Sequence, residues 1–233
     1  MPIAARLAFL LKSIDEYADI YQRKPGSVRL LAVSKGHTVD SINKAMLAGQ
    51  LDFGENYLQE AMSKMAELSD AALVWHFVGR IQSNKARLIA EHFEWVHSLC
   101  DLKNAKKLSD ARPAAMGKLN VCLQVNIDED SNKGGVSVSD LSELLAKVSL
   151  LPRLRVRGLM TILKFNNDFE RQKSAYTQLA NVSEQLRIQY PNMDTLSMGM
   201  SGDYEAAIAA GATMIRVGQN IFGPRKKQGR ELK

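Results

Sequence analysis

The stretch Leu119-Asn-Val-Cys-Leu-Gln-Val-Asn126 alternates aliphatic side chains with smaller or more polar ones. A period of two residues is typical of a β-strand, whose successive side chains point to opposite faces of a sheet. One face carries the aliphatic residues from Val121 to Val125, and the other carries Gln124 and Asn126. Helices that cover a sheet favour aliphatic contacts, so we expect the polar face to point away from the helices.

Seven other short apolar runs alternate with segments of helical periodicity and are also predicted as strands. They are Val28–Ser34, Asp52–Gly54, Val74–Gly79, Trp95–Leu99, Val156–Thr161, Thr195–Gly199 and Met214–Gly218. Strands separated by helices pair in parallel, because each crossover needs a helix. Eight such strands either close into a (β/α)8 barrel of the TIM type or stay open as a doubly wound sheet. The length of 233 residues and the lack of a Pro- or Gly-rich linker favour one α/β barrel domain over residues 1–233.

Capping residues predict where the helices begin. The predicted N-caps are Thr38, Ser83 and Asp101, and Asp140 with Glu143 has the spacing of a capping box. A long helix is predicted from about Asp168 to Tyr190. Little sequence follows the last predicted strand. We therefore expect the N-terminal helix, Ile3–Tyr21, to take the outer position of an eighth helix.

Composition excludes several classes of protein. No apolar run reaches the roughly 18 residues that a membrane span needs, and the N-terminus lacks the pattern of a signal peptide. The net charge of +6 includes a basic tail from Arg225 to Lys233, but no aromatic-basic stripe accompanies it. We therefore expect an anionic small molecule, not nucleic acid, as the partner. Cys100 and Cys122 offer neither a disulfide framework nor metal-ligand spacing, which indicates a cytoplasmic protein without a metal site.

Barrel sites lie in the loops that follow the C-terminal ends of the strands. The candidate residues there are Lys35, Glu55, Asn56, Asn126, Ser197, Met200, Ser201, Arg216, Gly218 and Gln219, with His76 inside the third strand. Strand alternation places Arg216 on the inner face. A charge in that position requires an acceptor or an anion, because an unpaired buried charge is very costly.

Two glycine-containing loops follow the seventh and eighth strands, at Gly199–Gly202 and Gly218–Gly223. Loops at these places in a barrel commonly bind phosphate through backbone N–H groups. Ser201 adds a hydroxyl, and Lys35 at the end of the first strand adds an amine that can form imines with carbonyl compounds. Together these features indicate a phosphorylated carbonyl compound as the ligand.

Other motifs receive ordinary structural interpretations. The stretch from Gly79 to Lys85 superficially resembles a P-loop but lacks its second glycine, so Ser83 is interpreted as a helix cap. His76 is interpreted as a hydrogen-bonded core residue and His97 as a surface or packed histidine. Lys133 is interpreted as a solvated loop lysine in preference to a residue that handles the ligand.

Several motifs together resemble the pyridoxal phosphate homeostasis proteins over nearly the whole chain. They are Leu31-Ala-Val-Ser-Lys35, Phe53-Gly-Glu-Asn-Tyr57, Trp75-His-Phe77, Gln82-Ser-Asn-Lys85, Arg157-Gly-Leu-Met160, Leu196-Ser-Met-Gly-Met-Ser201 and Arg216-Val-Gly218. That family is similar to the barrel domain of alanine racemase without its second, β-rich domain. The chain departs from the usual pattern at Gly36-His37-Thr38 and at Gln219, where a small hydroxyl residue is common.

The resemblance implies pyridoxal 5'-phosphate as the cofactor, held as a Schiff base on Lys35. By the same resemblance Ser201, Gly218 and Gln219 hold the phosphate, Arg216 approaches the pyridine nitrogen, and Asn56 and Met200 line the ring. Arginine does not readily give up a proton, so Arg216 would leave that nitrogen unprotonated and the ring a poorer electron sink.

The resulting hypothesis is a cofactor carrier that acts in intracellular vitamin B6 homeostasis without substantial amino-acid turnover. We expect a monomer whose partners are pyridoxal phosphate and pyridoxal phosphate-dependent apoenzymes as recipients, with neither nucleic acid nor membrane. One alternative is a small amino-acid racemase with Lys35 as one base and Tyr57 or Tyr204 as candidates for the other. The second is a Schiff-base aldolase that acts on a sugar phosphate with the same lysine.

Overall fold

Eight parallel strands close into one barrel in chain order in the computed structural model, which describes residues 1–69, 71–130 and 133–224. The strands are β1 Arg29–Val33, β2 Asp52–Glu55, β3 Val74–Phe77, β4 Trp95–Leu99, β5 Leu119–Gln124, β6 Leu154–Met160, β7 Thr195–Ser197 and β8 Met214–Val217. Each of the eight predicted strands is present. The closed (β/α)8 barrel is therefore confirmed, and the open doubly wound sheet is wrong.

Helices cover the outside of the barrel. They are α1 Ile3–Ile20, α2 Val39–Leu47, α3 Leu58–Glu67, α4 Ala86–His92, α5 Leu102–Ala111, α6 Val138–Ser149, α7 Phe169–Arg187, α8 Tyr204–Ala209 and α9 Gln219–Phe222. The N-terminal helix α1 packs against α2, α8 and α9, as expected for the outer position beside the first and last strands. Among the described residues, no helix is both long and apolar enough to span a membrane.

Two of the predicted N-caps, and the predicted start of the long helix near Asp168, are confirmed. The side chains of Thr38, Asp101 and Asp168 accept hydrogen bonds from backbone N–H groups in the first turns of α2, α5 and α7. These bonds satisfy donors that a helix leaves without an internal partner, and so fix where each helix begins.

Two helix starts were predicted wrongly. The cap of α6 is Ser137, whose hydroxyl accepts from the Asp140 N–H, so the capping pair begins three residues before the predicted one. Helix α4 begins at Ala86 behind Lys85, which makes no side-chain cap. The Ser83 hydroxyl instead donates to Asn104 Oδ1 at 2.8 Å and ties the loop before α4 to α5.

Apolar packing separates the outside of the barrel from its inside. The large core lies between the strands and the helices and includes Phe53, Val121 and Ile215, all fully buried. Smaller clusters, one with Met214 and one with Cys122, form on the opposite faces of the strands. The predicted inward face of the fifth and eighth strands is confirmed at these two residues.

Candidate functional site

A cavity of about 530 Å³ opens at the carboxyl end of the barrel. Its lining includes all seven residues that were predicted to bind a cofactor: Lys35, Asn56, Met200, Ser201, Arg216, Gly218 and Gln219. The remaining lining comes from Val33, His37, Val78, Ile162, Gly202, Gly223 and Pro224. A volume in this range suits a small-molecule ligand, since such sites span roughly 300–1,000 Å³.

Lys35 lies at one wall of this cavity because of the alternation along β1. Val33 lines the cavity, and Lys35 follows two residues later on the same side of the chain. Gly36 then adopts a φ of +73°, a conformation that favours glycine, and the chain turns away from the barrel. The lysine side chain is half-buried. The strand thus delivers an amine to the cavity at the point where the strand ends.

The loops after β7 and β8 present donors to the same cavity. Within the described residues, the backbone N–H groups of Ser201, Gly202 and Gln219 donate to no protein acceptor. Asp203 holds this loop from below: its carboxylate accepts from the Met200 N–H at 2.5 Å and from the Tyr176 hydroxyl at 2.9 Å. Uncommitted N–H groups beside a serine hydroxyl are suited to the oxygens of a phosphate.

Gly218 has a packing role that the sequence did not reveal. A Cβ atom at this residue would lie 2.7 Å from the carbonyl oxygen of Val33. The glycine therefore permits the end of β8 to approach the backbone of β1. A Cβ at Gly202 would meet nothing within 4 Å. A substitution of Gly218 could therefore weaken ligand binding by disturbing β1 and β8, so such a loss would not by itself show that Gly218 contacts a phosphate.

Arg216 is a buried cation on the inner face of β8, with 5% of its surface exposed. One guanidinium nitrogen donates to the Ser197 hydroxyl and another to the Thr161 carbonyl, both at 2.8 Å. The prediction that an inward-facing Arg216 has hydrogen-bond acceptors is confirmed. Burial lowers the pKa of the guanidinium, yet arginine remains charged in proteins. Two neutral acceptors therefore hold a positive charge at the bottom of the cavity.

A chain of buried hydrogen bonds links Arg216 to the opposite end of the barrel. Ser197 Oγ lies 2.8 Å from His97 Nδ1, and His97 Nε2 lies 2.9 Å from His76 Nδ1. His76 Nε2 lies 3.0 Å from Oδ1 of Asp52, the first residue of β2. Arg29 also contacts this carboxylate. The expectation that His76 is a hydrogen-bonded core residue is confirmed.

The charges at the two ends of this hydrogen-bond chain determine which nitrogen of each histidine carries the proton. Burial raises the pKa of Asp52, but hydrogen bonding to His76 and the charge of Arg29 outweigh burial and hold that pKa below its ordinary value. Burial lowers the pKa of His76 and lowers that of His97 well below its ordinary value. An ionised carboxylate can only accept, so neutral His76 carries its proton on Nε2. His97 must then donate to His76 from Nε2 and accept from Ser197 at Nδ1.

Several polar residues named from the sequence lie elsewhere. The side chain of Asn126 accepts from the Asp130 N–H and donates to its carbonyl, and Gln124 donates to the Gly134 carbonyl. Both therefore stabilise the loop after β5, because a strand's last polar side chains can turn back on their own loop. Lys133 is half-buried and donates to the carbonyl of Ile162 at 3.2 Å, so it is not the fully solvated lysine of the sequence interpretation. The basic tail from Arg225 to Lys233 lies outside the described residues.

Comparison with known proteins gives both near and distant relatives. The family described as alanine racemase, N-terminal domain, matches residues 11–226. The pyridoxal phosphate homeostasis protein of Escherichia coli K12 is 47% identical over 226 residues, which cover 96% of this chain and 97% of that protein. Its counterpart in Pseudomonas aeruginosa is 49% identical over 223 residues, with 96% of each covered.

Solved structures agree with these sequence matches. PipY of Synechococcus elongatus with pyridoxal phosphate bound is 39% identical, with a TM-score of 0.82 and coverage of 95% of this chain and all of that one. Alanine racemase of Corynebacterium glutamicum is 15% identical, with a TM-score of 0.70 over 98% of this chain and 63% of that one, which shows the fold alone.

The closed barrel with its lysine-lined cavity is thus of the alanine racemase N-terminal type. Within that class, the chain belongs to the family of pyridoxal phosphate homeostasis proteins. The resemblance that the sequence motifs carried is confirmed.

Burial of two neutral histidines predicts that the protein loses stability in mild acid. The unfolded chain takes up protons at both histidines as the pH falls below about 6.5, whereas the lowered pKa values of both histidines make the folded chain take up fewer. The free energy of unfolding should therefore decrease between about pH 7 and pH 5, by up to about 1.4 kcal/mol per pH unit for each histidine. Urea unfolding followed by tryptophan fluorescence measures this slope.

A matched pair of variants assigns the slope to the buried chain. His97→Gln should reduce it by the amount due to one histidine, whereas Ser139→Ala, which removes no titratable group from the exposed face of α6, should leave it unchanged. Equal slopes for the wild-type protein and His97→Gln would mean that His97 is not held neutral in the folded state.

Proposed function

We propose that this protein binds pyridoxal 5'-phosphate on Lys35 and acts in vitamin B6 homeostasis without substantial amino-acid turnover. The observation that carries the proposal is the convergence of an amine, uncommitted N–H donors and a buried guanidinium on one cavity. The relatives named for pyridoxal phosphate homeostasis, and PipY with the cofactor bound, support it.

The residues present fit the parts of this cofactor. Ser201, Gly218 and Gln219 are proposed to hold the phosphate, and the exposed side chain of Gln219 leaves its backbone N–H as the contact. Arg216 would face the pyridine nitrogen, and Asn56 with Met200 would line the ring. When bound, pyridoxal phosphate supplies an aldehyde carbon, which joins an amine as a C=N bond while its oxygen leaves as water.

The position of Arg216 favours a protein that binds the cofactor over one that catalyses amino-acid turnover with it. Its donors to Ser197 and Thr161 fix the guanidinium, and a guanidinium does not give up a proton to a ring nitrogen. A cation at that place withholds the protonation that would make the ring a strong electron sink. A carboxylate would do the opposite.

The two tyrosines that are candidates for the second base of a racemase lie away from the cavity. Tyr57 lies at the start of α3 with 60% of its surface exposed, and Tyr204 packs edge-on against Tyr17 at 5.8 Å. Neither tyrosine lines the cavity. Racemisation requires bases on opposite faces of the substrate, so this arrangement disfavours the racemase alternative.

The remaining parts of the proposal concern organisation and partners. We propose that residues 1–233 form one cofactor-binding barrel domain and that the protein is a cytoplasmic monomer. The homeostasis relatives match it over nearly their full length, which supports the single domain. Pyridoxal phosphate-dependent apoenzymes are the proposed recipients, because a reversible C=N bond lets another lysine take the cofactor.

Lys35 should be the principal site of attachment. The purified protein with added pyridoxal phosphate is reduced with borohydride, digested and mapped by mass spectrometry. We expect the label on Lys35, its loss in Lys35→Ala, and its retention in Lys133→Ala. A principal adduct on Lys133 or Lys85 in the wild-type protein would contradict the assignment. Absence of any coloured, reducible adduct would favour the aldolase.

The phosphate loop should discriminate between phosphorylated and unphosphorylated ligands. Ser201→Ala should weaken binding of pyridoxal phosphate by about 1–3 kcal/mol, the usual loss for a hydrogen bond to a charged group. Binding of pyridoxal should change little, because it lacks the phosphate. Fluorescence titration of both ligands checks this, with Ser139→Ala on the exposed face of α6 as the control. Equal wild-type affinities for the two ligands would rule out a phosphate site here.

Amino-acid turnover should be negligible. Loss of one of two bases removes a contribution of about 10²–10⁴-fold to the rate, and the unprotonated ring nitrogen lowers it further. The loaded protein is incubated with L-amino acids in deuterated water, and exchange at Cα is followed by NMR. Exchange at enzyme-like rates that disappears in Lys35→Ala would overturn the carrier in favour of a racemase.

A further inference from the structure

A buried ion cluster lies behind Lys35, on the helix side of the barrel. It consists of Glu55 at the end of β2 with Glu60 and Lys64 on α3, and we call it the Lys64 clamp. The Lys64 ammonium donates to Glu55 Oε1 at 2.7 Å and to Glu60 Oε1 at 2.6 Å. Its third bond goes to the carbonyl of Ser34 at 2.8 Å. All three donors of the ammonium are therefore used.

The clamp binds the main chain on both sides of Lys35. On one side, Lys64 holds the Ser34 carbonyl. On the other, the Gly36 N–H donates to Glu60 Oε1 at 2.6 Å. The Ser34 hydroxyl adds a bond of 2.6 Å to Glu55 Oε1. One ion cluster thus fixes the two peptide groups that flank the attachment residue.

The Lys64 clamp supplies hydrogen bonds to the backbone around Lys35, where β1 has already ended and no longer provides them. The last residue of β1 is Val33, and Gly36 has the left-handed φ that turns the chain away. The main-chain bonds that continue past the strand are those from Ser34 N to Gly54 O at 3.0 Å and from His37 N to Ser34 O at 3.1 Å. In the described residues, the ladder therefore gives Gly36 no donor or acceptor, and Glu60 supplies the acceptor.

Burial of the charges of the clamp disfavours the folded state. The Lys64 side chain is 7% exposed and that of Glu55 is fully buried. Burial raises the pKa of Glu55 against the opposing charge of Lys64, and Glu55 Oε2 has no hydrogen-bond partner among the described residues. A buried ion pair often stabilises a protein no more than apolar residues of similar volume would, because both charges must be removed from water. A cluster of this kind calls for a role beyond packing.

We propose that Glu55, Glu60 and Lys64 are positioning residues that hold the backbone of Lys35 so that its amine reaches the carbonyl carbon of the ligand. The inference rests on the proposed function, because it concerns attachment to Lys35. A ligand whose phosphate is held by the loop after β7 leaves its carbonyl at a fixed place. The amine must reach that place from the end of β1, and a misplacement of about 1 Å can lower a reaction rate by about 10²-fold.

The discriminating experiment compares two ligands of nearly equal shape. Pyridoxal 5'-phosphate can form the C=N bond, whereas pyridoxine 5'-phosphate has an alcohol in place of the aldehyde and cannot. A positioning role affects only the ligand that forms the bond. A merely structural role affects both equally. Dissociation constants for both are measured by fluorescence titration, and the rate of borohydride-trapped labelling at Lys35 is measured beside them.

Glu60→Ala is the first variant, because it removes the acceptor of the Gly36 N–H and leaves the buried Glu55–Lys64 pair in place. We expect the dissociation constant for pyridoxal phosphate to rise by about 10–100-fold. That for pyridoxine phosphate should change by less than about twofold. Glu60→Gln retains an acceptor oxygen and should recover most of the loss. Asp40→Ala, which breaks the exposed pair with Lys44 on α2, is the matched control without effect.

Lys64→Met is the second variant, and Lys64→Met with Glu55→Gln serves if the buried carboxylate alone prevents folding. The proposal predicts the same selective loss in either. An equal loss for both ligands, or no loss in Glu60→Ala, would overturn it. If the wild-type protein bound pyridoxal phosphate no more tightly than pyridoxine phosphate and gave no label on Lys35, the proposed function itself would fail.

Discussion

The pairing of β1 with β8 is the contact on which the rest of the molecule depends. Leu31 lies opposite Arg216 and Ala32 opposite Val217 in this parallel ladder. The pairing closes the barrel, and it also fixes where the two ends of the site meet. Lys35 follows one strand and Gly218 the other, and the absence of a side chain at Gly218 lets the two backbones approach. Lys35 and one of the two loops of the proposed phosphate site are therefore neighbours because the sheet is closed.

Two polar networks lie on opposite faces of this closed sheet. The chain from Asp52 through His76, His97 and Ser197 to Arg216 is inside the barrel, and the Lys64 clamp is outside it. Each fixes a residue that faces the cavity, and each gives hydrogen-bond partners to charged groups that burial would otherwise make costly. The inner network orients the guanidinium below the cavity, and the outer one holds the main chain beside it. Of the residues in these networks, Arg216 lines the cavity, whereas the residues of the Lys64 clamp do not.

The sequence was a good guide to the strands and to the cavity lining. Alternation within short apolar runs is a local signal, and the rule that sites follow the carboxyl ends of strands placed Lys35, Ser201 and Arg216 on one side of the barrel. Helix starts were less certain, since Ser83 has the chemistry of a cap but finds Asn104 as a partner instead. A capping residue competes with every acceptor that the fold brings near it.

The polar networks could not be predicted, because their partners are distant in sequence or unusual in kind. His97 and Ser197 are 100 residues apart, and only the register of the barrel brings them together. Lys64 sits on an amphipathic helix, where a lysine is ordinarily solvated. Its pairing with Glu60 has the ordinary i,i+4 spacing of a surface pair, so nothing local marks it as buried. The local sequence pattern predicts the helix or strand on which each residue lies, whereas its contacts depend on the tertiary fold.

Closure through the first and last strands also has a consequence during synthesis. A ribosome releases β1 with Lys35 early and β8 with Arg216 near the end, so the nascent chain carries the amine long before the cavity exists. Contacts so distant in sequence form slowly and at a high entropic cost. Any small molecule that binds only the finished cavity would favour the closed ladder by mass action. Supply of such a ligand would then lower the fraction of barrels that are open to proteases at equilibrium.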